Sequence, residues 1–231
     1  MKVYAISDLH LPFSANKPME VFGGQWENYL EKIKADWQEK VEEDDIVLIA
    51  GDISWAMKLD EFKQDLNFFD GLKGKIVFIR GNHDYWWSSK TKVNSVLKPN
   101  MTILHADAIC LNNIIFCGTR GWDLPNFHKT KEDEKIFARE LIRLEMALKS
   151  AQDKQTNGQK IVLLLHYPPY FPKRKDNQIT RLINNYNVDV VVFGHLHGSN
   201  YGLNLTEKID NTTYYLTSCD LLHNKLVEIV L

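Results

Sequence analysis

The chain has 231 residues, of which 44% are hydrophobic and 25% are charged, the balance of a soluble globular protein with a substantial core. Its 28 Lys and Arg residues against 30 Asp and Glu residues give a formal net charge of -2, so no overall positive field attracts nucleic acid or an anionic membrane. No segment approaches the roughly 20 uninterrupted apolar residues of a membrane span, and the amino terminus lacks the apolar stretch of a signal peptide. We therefore expect one cytoplasmic domain over residues 1–231.

Short β-branched and aliphatic runs recur along the chain and predict strands. They occupy residues 2–6, 46–50, 75–79, 114–117, 161–165 and 188–193. Most are apolar on both faces, as is typical of central strands covered on both sides. The spacing of apolar residues predicts helices near residues 26–40, 58–70 and 131–152. Short strand-like segments replace helical ones after about residue 200, so the sequence predicts a mixed α/β fold with a β-rich carboxyl third.

Polar side chains of the metal-ligand type follow five of these strands directly. Asp8 and His10 follow the first strand, Asp52 follows the second, and Asn82 follows the third. The side chains after the strands at 161–165 and 188–193 are His166, His195 and His197. Since ligands bind outside the carboxyl ends of the strands in an open α/β sheet, these residues should meet at one edge. Each motif alone is a weak signal, but their convergence predicts a metal site.

The ordered motifs Asp-x-His, Gly-Asp, Gly-Asn-His-Asp, His and Gly-His-x-His resemble those of the calcineurin-like metallophosphoesterase superfamily. The match runs from Asp8 to His197 and keeps every motif in order. The resemblance implies a four-layer α/β/β/α sandwich of two mixed β-sheets flanked by helices. It also implies two metal ions that share a bridging aspartate.

The same resemblance assigns a place to each candidate ligand. One ion would be held by Asp8, His10, Asp52 and His197. The other would be held by Asp52, Asn82, His166 and His195. Asp52 would therefore bridge the two ions. His83 resembles the family's non-ligand histidine, which acts as general acid or stabilises the leaving group, and Asp84 would orient it.

The donor set itself narrows the choice of metal. Imidazole, carboxylate and amide ligands suit Mn, Fe or Zn better than Mg or Ca, which prefer oxygen alone. Two such ions, roughly 3.5 to 4 Å apart, can lower the pKa of a bridging water and neutralise charge that builds during in-line attack. A protonated histidine opposite the nucleophile can give its proton to the departing alkoxide, and His83 is the candidate. The sequence leaves the choice among the three metals open.

Candidate substrate contacts come from residues beside these motifs. An aromatic cluster, Tyr85-Trp86-Trp87, could stack on a planar leaving group or could pack beneath its loop, and we assign Trp86 to the substrate. Arg120 could clamp a phosphate oxygen or pair with Asp123. Tyr167, next to His166, is a further candidate.

We interpret the chain as a dinuclear metal-dependent phosphoesterase that hydrolyses a small-molecule phosphate monoester or diester by attack of a metal-bound hydroxide. Residues 51–57 lack the arginine that the protein Ser/Thr phosphatase branch carries after Gly-Asp, and the near-neutral charge disfavours a nucleic-acid substrate. Two alternatives stay open: an inactive scaffold that keeps the fold, and a single-strand nuclease. The natural substrate, the choice between monoester and diester, and the oligomeric state are undecided by the sequence.

Overall fold

Two mixed β-sheets form the centre of the fold in the structure, a computed structural model that describes residues 1–15, 17–127 and 130–231. The strands of the first sheet are β1 (Val3–Ile6), β2 (Ile46–Ile49), β3 (Lys75–Phe78), β4 (Met101–Ile103) and β11 (Val227–Glu228). They lie in the order β11-β1-β2-β3-β4, with β11 antiparallel to β1 and the other pairs parallel. The carboxyl ends of β1, β2 and β3, which precede three of the sequence motifs, therefore meet at one edge.

The second sheet brings the remaining motifs together in the same way. Its strands are β5 (Asp107–Leu111), β6 (Ile114–Gly118), β7 (Lys160–Leu164), β8 (Val190–Phe193), β9 (Thr206–Ile209) and β10 (Thr212–Leu216). They lie in the order β5-β6-β7-β8-β10-β9, with β6, β7, β8 and β10 parallel and the edge strands β5 and β9 antiparallel to their neighbours. Strands β7 and β8, which precede the histidine motifs, end side by side.

Helices cover the outer face of each sheet. The first sheet packs against α1 (Tyr29–Lys40), α2 (Leu59–Asp65) and α3 (Lys90–Asn94), and the second against α4 (Lys131–Lys154) and α5 (Gln178–Asn185). Helix α4 begins with a capping box, in which the Thr130 hydroxyl accepts from Asp133 N while the Asp133 carboxylate accepts from Thr130 N. No helix in the described part of the chain has both the length and the apolar character that a membrane crossing requires.

Three buried apolar layers account for this arrangement. Between the sheets, Leu48 and Val77 of the first sheet pack in one cluster with Phe116 of the second. The outer faces of the two sheets pack against helices, through Trp37 on the first side and Leu148 on the second. Because both faces of each central strand are covered, the strands are continuous apolar runs rather than alternating ones. The predicted α/β/β/α sandwich of two mixed sheets is confirmed.

The layer between the sheets predicts the effect of one substitution. Phe116 is fully buried there, so Phe116→Ala should lower the free energy of unfolding by about 3–5 kcal/mol through lost contacts and a residual cavity. Ile142→Ala, at a position 61% exposed on α4, is the control and should change it by less than about 0.5 kcal/mol. Urea unfolding followed by circular dichroism measures both, and equal effects would contradict the arrangement of layers.

Candidate metal centre

Sharp turns at the strand ends bring the predicted ligands together. Four of these ligands have left-handed backbone conformations: Asp8 (φ 61°), His10 (φ 44°), Asp52 (φ 51°) and His195 (φ 75°). Such conformations cost about 1–3 kcal/mol each outside glycine and cluster at functional sites. Hydrogen bonds between neighbouring turns hold them, from Asp8 N to Gly51 O at 3.0 Å and from His10 N to Asp52 O at 3.0 Å. The turns therefore aim the side chains across the sheet edges.

Asp8, His10 and His197 form the first group of facing ligand atoms, which lie within 4.8 Å of one another. His197 Nε2 is 3.3 Å from Asp8 Oδ1 and 3.3 Å from His10 Nε2. Asp8 and His10 are almost fully buried. A carboxylate and two imidazoles that face one point are a suitable donor set for a transition-metal ion.

The second group contains an amide as well as carboxylates and imidazoles. The second group includes Asp8, Asp52 and His166, whose ligand atoms also lie within 4.8 Å of one another. The amide oxygen of Asn82 lies 2.7 Å from His166 Nε2 and 2.9 Å from His195 Nδ1. The structure thus brings all seven predicted ligand side chains to one place.

Asp52 belongs to the second group and also approaches the first. Its Oδ2 is 3.7 Å from His10 Nε2, in the first group, and 3.5 Å from His166 Nε2, in the second. Its Oδ1 accepts a hydrogen bond of 2.8 Å from His83 N, which fixes the carboxylate.

Hydrogen bonds behind two histidines determine which ring nitrogen faces the centre. His166 Nδ1 lies 2.9 Å from Ala50 O, and His197 Nδ1 lies 3.0 Å from Asp220 Oδ1. An imidazole that donates from Nδ1 to such an oxygen leaves Nε2 free to bind a metal. Sequence reasoning missed Asp220, which is buried. The signal that could have identified Asp220 is its position shortly after β10, which is a parallel neighbour of β8.

The buried carboxylates favour positive charge in the centre. Burial opposes the protonation of His166 and His197, but the Asp52 carboxylate raises the pKa of His166 to about 9. Asp8 and Asp220 likewise raise the pKa of His197 to about 10. Burial also opposes the ionisation of Asp8, yet the facing His197 holds the pKa of this carboxyl well below its usual range. Protons or metal cations can supply the positive charge that these carboxylates require.

The other two imidazoles are disposed to stay neutral, as metal binding requires. Burial lowers the pKa of His10 to about 4, although the charges of Asp52 and Asp8 oppose the shift. Burial and the nearby His166 lower the pKa of His195 to about 3. A neutral imidazole has a lone pair that it can give to a metal ion.

The residues fit divalent metal ions on structural grounds. His10 Nε2 faces two other candidate ligand atoms, His197 Nε2 at 3.3 Å and Asp52 Oδ2 at 3.7 Å. A Cβ atom at Gly81 would lie 2.0 Å from Asp52 Oδ1, and one at Gly194 would lie 2.4 Å from Asp8 Oδ2. Glycine thus allows the backbone to approach both carboxylates closely. The mixed nitrogen and oxygen donors suit Mn, Fe or Zn.

His83 lies beside this centre, but Asp84 does not orient its ring. The centroid of the His83 ring is 5.6 Å from that of His10, and His83 Nδ1 is buried without a hydrogen-bond partner in the described part of the chain. The Asp84 carboxylate instead accepts hydrogen bonds from the N–H groups of Ile53, Ser54, Gly81 and the Trp86 indole. Our prediction for Asp84 is therefore wrong, because this carboxylate anchors the loop backbone. Burial and the charge of Asp52 raise the pKa of Asp84 to about 6.

Trp86 is turned into the core rather than toward the centre. It is 2% exposed, and its ring stacks on Phe62 with centroids 3.5 Å apart. Trp87 is buried as well, whereas Tyr85 is 50% exposed. The assignment of Trp86 to the substrate is therefore wrong, since packing beneath the loop leaves it no access.

Two other tryptophans flank the first group of ligands, and sequence reasoning did not single them out. The Trp55 ring stacks on His10 with centroids 4.6 Å apart and lies 4.7 Å from the His83 ring. The Trp26 ring lies 5.4 Å from that of His197. These aromatic contacts of the first group thus come from the segments after β1 and β2.

Tyr167 and Arg120 lie on the side of the second group. The Tyr167 ring packs 4.2 Å from the His195 ring and is buried. Arg120 Nη2 lies 3.8 Å from Glu140 Oε1, and Arg120 Cζ lies 4.6 Å from the centroid of the Trp122 ring. Contacts of Tyr167 and Arg120 with a substrate remain predictions.

A family model for calcineurin-like phosphoesterases matches residues 1–199. The chain belongs to this family. Two proteins of Helicobacter pylori, each described as an uncharacterized metallophosphoesterase, are similar to it. The one from strain ATCC 700392 / 26695 is 24% identical over 92% of this chain and 49% of its own length, and the one from strain J99 is 28% identical over 73% and 40%. The chain thus spans half or less of the length of these curated relatives.

Two solved structures share the fold of this calcineurin-like phosphoesterase. A protein of unknown function from Aquifex aeolicus has a TM-score of 0.54 and 13% identity, with 98% of this chain and 95% of that chain covered. The phosphopantetheinyl hydrolase PptH from Mycobacterium tuberculosis has a TM-score of 0.53 and 16% identity, with 99% and 95% covered. At these identities the likeness shows the fold alone. The family normally binds divalent metals, and the two groups of facing ligand atoms are candidates to hold them.

Gly81 provides a test of the position of Asp52 in this phosphoesterase. Since a Cβ there would overlap both Oδ1 and the backbone nitrogen of Asp52, Gly81→Ala should displace the turn that carries the carboxylate and weaken Mn²⁺ binding at least about tenfold. Gly24→Ala is the control, because a Cβ at Gly24 meets nothing within 4 Å. Isothermal titration calorimetry with Mn²⁺ measures both, and unchanged affinity in Gly81→Ala would contradict the assignment of Asp52 as a ligand.

Asp220 provides a test of the hydrogen bond behind His197. Asp220→Asn removes the carboxylate that holds His197 Nδ1, so metal affinity should fall by about 10- to 100-fold while the fold is kept. The exposed Asp153→Asn on α4 is the matched control for loss of one negative charge. Competition with a chromogenic chelator measures the affinities, and equal values in the two variants would rule out this role for Asp220.

Proposed function

We propose that this chain is a dinuclear metal-dependent phosphoesterase that acts on a phosphate monoester or diester of a small molecule. The position of Asp52 supports this proposal most directly, because its Oδ2 faces His10 of one ligand group and His166 of the other at 3.7 and 3.5 Å. In the proposal, one ion is held by Asp8, His10, Asp52 and His197. The other is held by Asp52, Asn82, His166 and His195.

Divalent ions held by these residues would lower the pKa of a water molecule and neutralise negative charge on the phosphoryl group. The protein's own residues would orient the metal-binding side chains. Asp220 and the Ala50 carbonyl fix the rings of His197 and His166, so their Nε2 atoms keep their direction when substrate binds. The strained turns at Asp8 and Asp52 hold the two carboxylates in the same way.

In the proposal, His83 acts on the departing oxygen. Asp52 Oδ1 binds the His83 backbone N–H, which places the imidazole beside the centre without making it a ligand. Burial lowers the pKa of His83, so a protonated His83 would readily give its proton to the leaving alkoxide, a role worth about 10²–10⁴ in rate. The small-molecule substrate is favoured by the net charge of -2, since a long nucleic acid needs an extended basic surface.

Hydrolysis of p-nitrophenyl phosphate and bis(p-nitrophenyl) phosphate by the Mn²⁺-loaded protein tests the proposed function. Activity should disappear with a chelator, return with Mn²⁺, and fall to background in Asp52→Asn, which lacks the charge between the two groups. Near-normal turnover in Asp52→Asn would overturn the metal assignment. A rate ratio of diester to monoester above one identifies a phosphodiesterase, and a ratio below one identifies a phosphomonoesterase.

The role of His83 is tested by a series of esters that differ in leaving-group acidity. His83→Asn should keep its metal content, measured by mass spectrometry, because His83 is not a ligand. Its turnover should fall by about 10²–10⁴ for alkyl esters and by much less for activated aryl esters, whose weakly basic phenolate leaving groups need no proton. Equal losses on both kinds of ester would deny His83 the acid role.

A further inference from the structure

Two arginines follow the ends of strands on the side of the second ligand group. Arg80 lies shortly after β3 and two residues before the candidate ligand Asn82. Arg120 lies two residues after Gly118, the last residue of β6. A Cβ atom at Gly118 would lie 2.9 Å from Ile79 Cγ2, so the chain just after β3 touches the end of β6 across the layer between the sheets. The two arginines therefore start from neighbouring points of the fold.

Contacts of Arg120 connect it to the second ligand group. Its backbone oxygen accepts hydrogen bonds from His166 N at 2.9 Å and from Tyr167 N at 3.1 Å. Its guanidinium lies over the Trp122 ring, with Cζ 4.6 Å from the ring centroid. The Trp122 ring lies 5.0 Å from the Tyr167 ring, which packs 4.2 Å from the His195 ring. A small molecule bound at the candidate metal centre can therefore extend to Arg120.

Glu140 does not neutralise the charge of Arg120. The Glu140 side chain is 2% exposed and accepts hydrogen bonds from Thr119 Oγ1 at 3.0 Å and from Arg143 Nη1 at 2.6 Å. Its Oε1 is also 3.8 Å from Arg120 Nη2, a distance too long for a hydrogen bond. Within the described ranges Arg120 forms no other ion pair. One carboxylate thus faces two guanidinium groups and is hydrogen-bonded to only one of them.

Arg80 has no acidic partner in the described part of the chain. Its guanidinium makes neither a hydrogen bond nor an ion pair there, although its Nε is buried. Asp107, which pairs with Gly118 in the register of β5 and β6, is bonded to Lys90 Nζ instead. An arginine keeps its charge in proteins and carries five N–H donors, and burying such donors without an acceptor is costly. Arg80 therefore favours an anion from outside the protein.

The electrostatics of this side also favour an anion. Burial lowers the pKa of Arg120, and the positive charge of Arg80 lowers it further, whereas Glu140 opposes the shift. The two guanidinium groups thus lie close enough to repel each other, and an anion bound beside both would offset this repulsion. Burial raises the pKa of Tyr167, so its hydroxyl stays a neutral donor near Arg120. This hydroxyl has no hydrogen-bond partner among the residues that the structure describes.

We propose that Arg80 and Arg120 form a subsite for a second anionic group of the substrate, a carboxylate or a phosphate separate from the phosphoryl group that reacts. The proposal rests on the phosphoesterase function proposed above. There the metal ions neutralise the reacting phosphoryl group, so the two arginines are left for another anion. The planar guanidinium binds either oxyanion through two parallel hydrogen bonds. The substrate class is therefore a small phosphoester with at least two acidic groups.

Binding of unreactive phosphonates to the Mn²⁺-loaded protein tests the subsite separately from turnover. The probes are alkylphosphonates with two, four or six methylene groups that end in a carboxylate, a second phosphonate or an uncharged carboxamide. At the best-fitting length, one of the two anionic probes should bind at least about tenfold more tightly than the carboxamide, because it forms charge-assisted hydrogen bonds. Calorimetry measures the affinities, and the tighter of the two anionic probes identifies the anion.

Two arginine variants provide a matched pair. Arg80→Gln removes a guanidinium that has no partner in the described part of the chain, so it breaks no contact that holds the fold. It should lose most of the preference for the anionic probe, about 5- to 10-fold. Arg181→Gln removes the same charge from a side chain that is 66% exposed on α5 and should keep the preference. Circular dichroism confirms that both variants fold.

The outcomes separate this proposal from the phosphoesterase function. Equal affinity for anionic and uncharged probes at every length would overturn the subsite. Equal weakening of both kinds of probe by Arg80→Gln would also overturn it, since the arginine would then hold the first phosphonate. In either case, hydrolysis of simple phosphoesters by the same preparation would leave the proposed function in place. An anion preference that only Arg80→Gln removes, in a protein that hydrolyses no phosphoester, would support the subsite and overturn the phosphoesterase proposal.

Discussion

Burial of two carboxylates at adjoining sheet edges is the constraint on which the rest of the site depends. Asp8 is fully buried and Asp52 is 1% exposed, and a charge taken out of water is very costly unless other groups compensate it. Ser7 Oγ at 2.5 Å and His195 N at 3.0 Å donate to Asp8, and His83 N donates to Asp52 at 2.8 Å. These donors satisfy part of each carboxylate, and the facing imidazoles or bound cations must supply the remainder. The motifs converge on one place, where their imidazoles can compensate the charge of the two buried carboxylates.

The same requirement explains where the backbone is strained. Parallel strands deliver their carboxyl ends to one edge, but a strand that simply continued would direct alternate side chains to opposite faces. Left-handed conformations at Asp8, His10 and Asp52 interrupt this alternation, while the two segments continue in parallel as far as the bridge between Leu11 and Ser54. Gly81 and Gly194 leave the space that the carboxylates then occupy. The apolar layers on both sides of the sheets offset this local strain, which is why it persists.

Features carried by short stretches of chain were predictable, and features that depend on contacts between distant segments were not. The buried strands are continuous apolar runs followed by ligands, so the sequence pattern predicted a mixed α/β fold and the seven ligand candidates, and the family resemblance implied the layers. Strands β5 and β9 contain polar residues and β4 has only three residues, so none forms a continuous apolar run, and helices α3 and α5 span only five and eight residues. Trp86 follows a motif directly, but its burial depends on Phe62 from another element. Asp220 and Trp55 contact ligands only through the folded arrangement of their loops.

The site is asymmetric, and this asymmetry determines how it would treat the two substituents of a diester. Trp26 and Trp55 flank the first ligand group, whereas Tyr167 packs against His195 in the second. The His83 ring lies on the side of Trp55, with centroids 4.7 Å apart. In the proposed function, a proton from His83 would reach the ester oxygen on this side, so a diester would direct its leaving group toward Trp55 and its retained substituent toward Tyr167. A monoester would need only the side of His83.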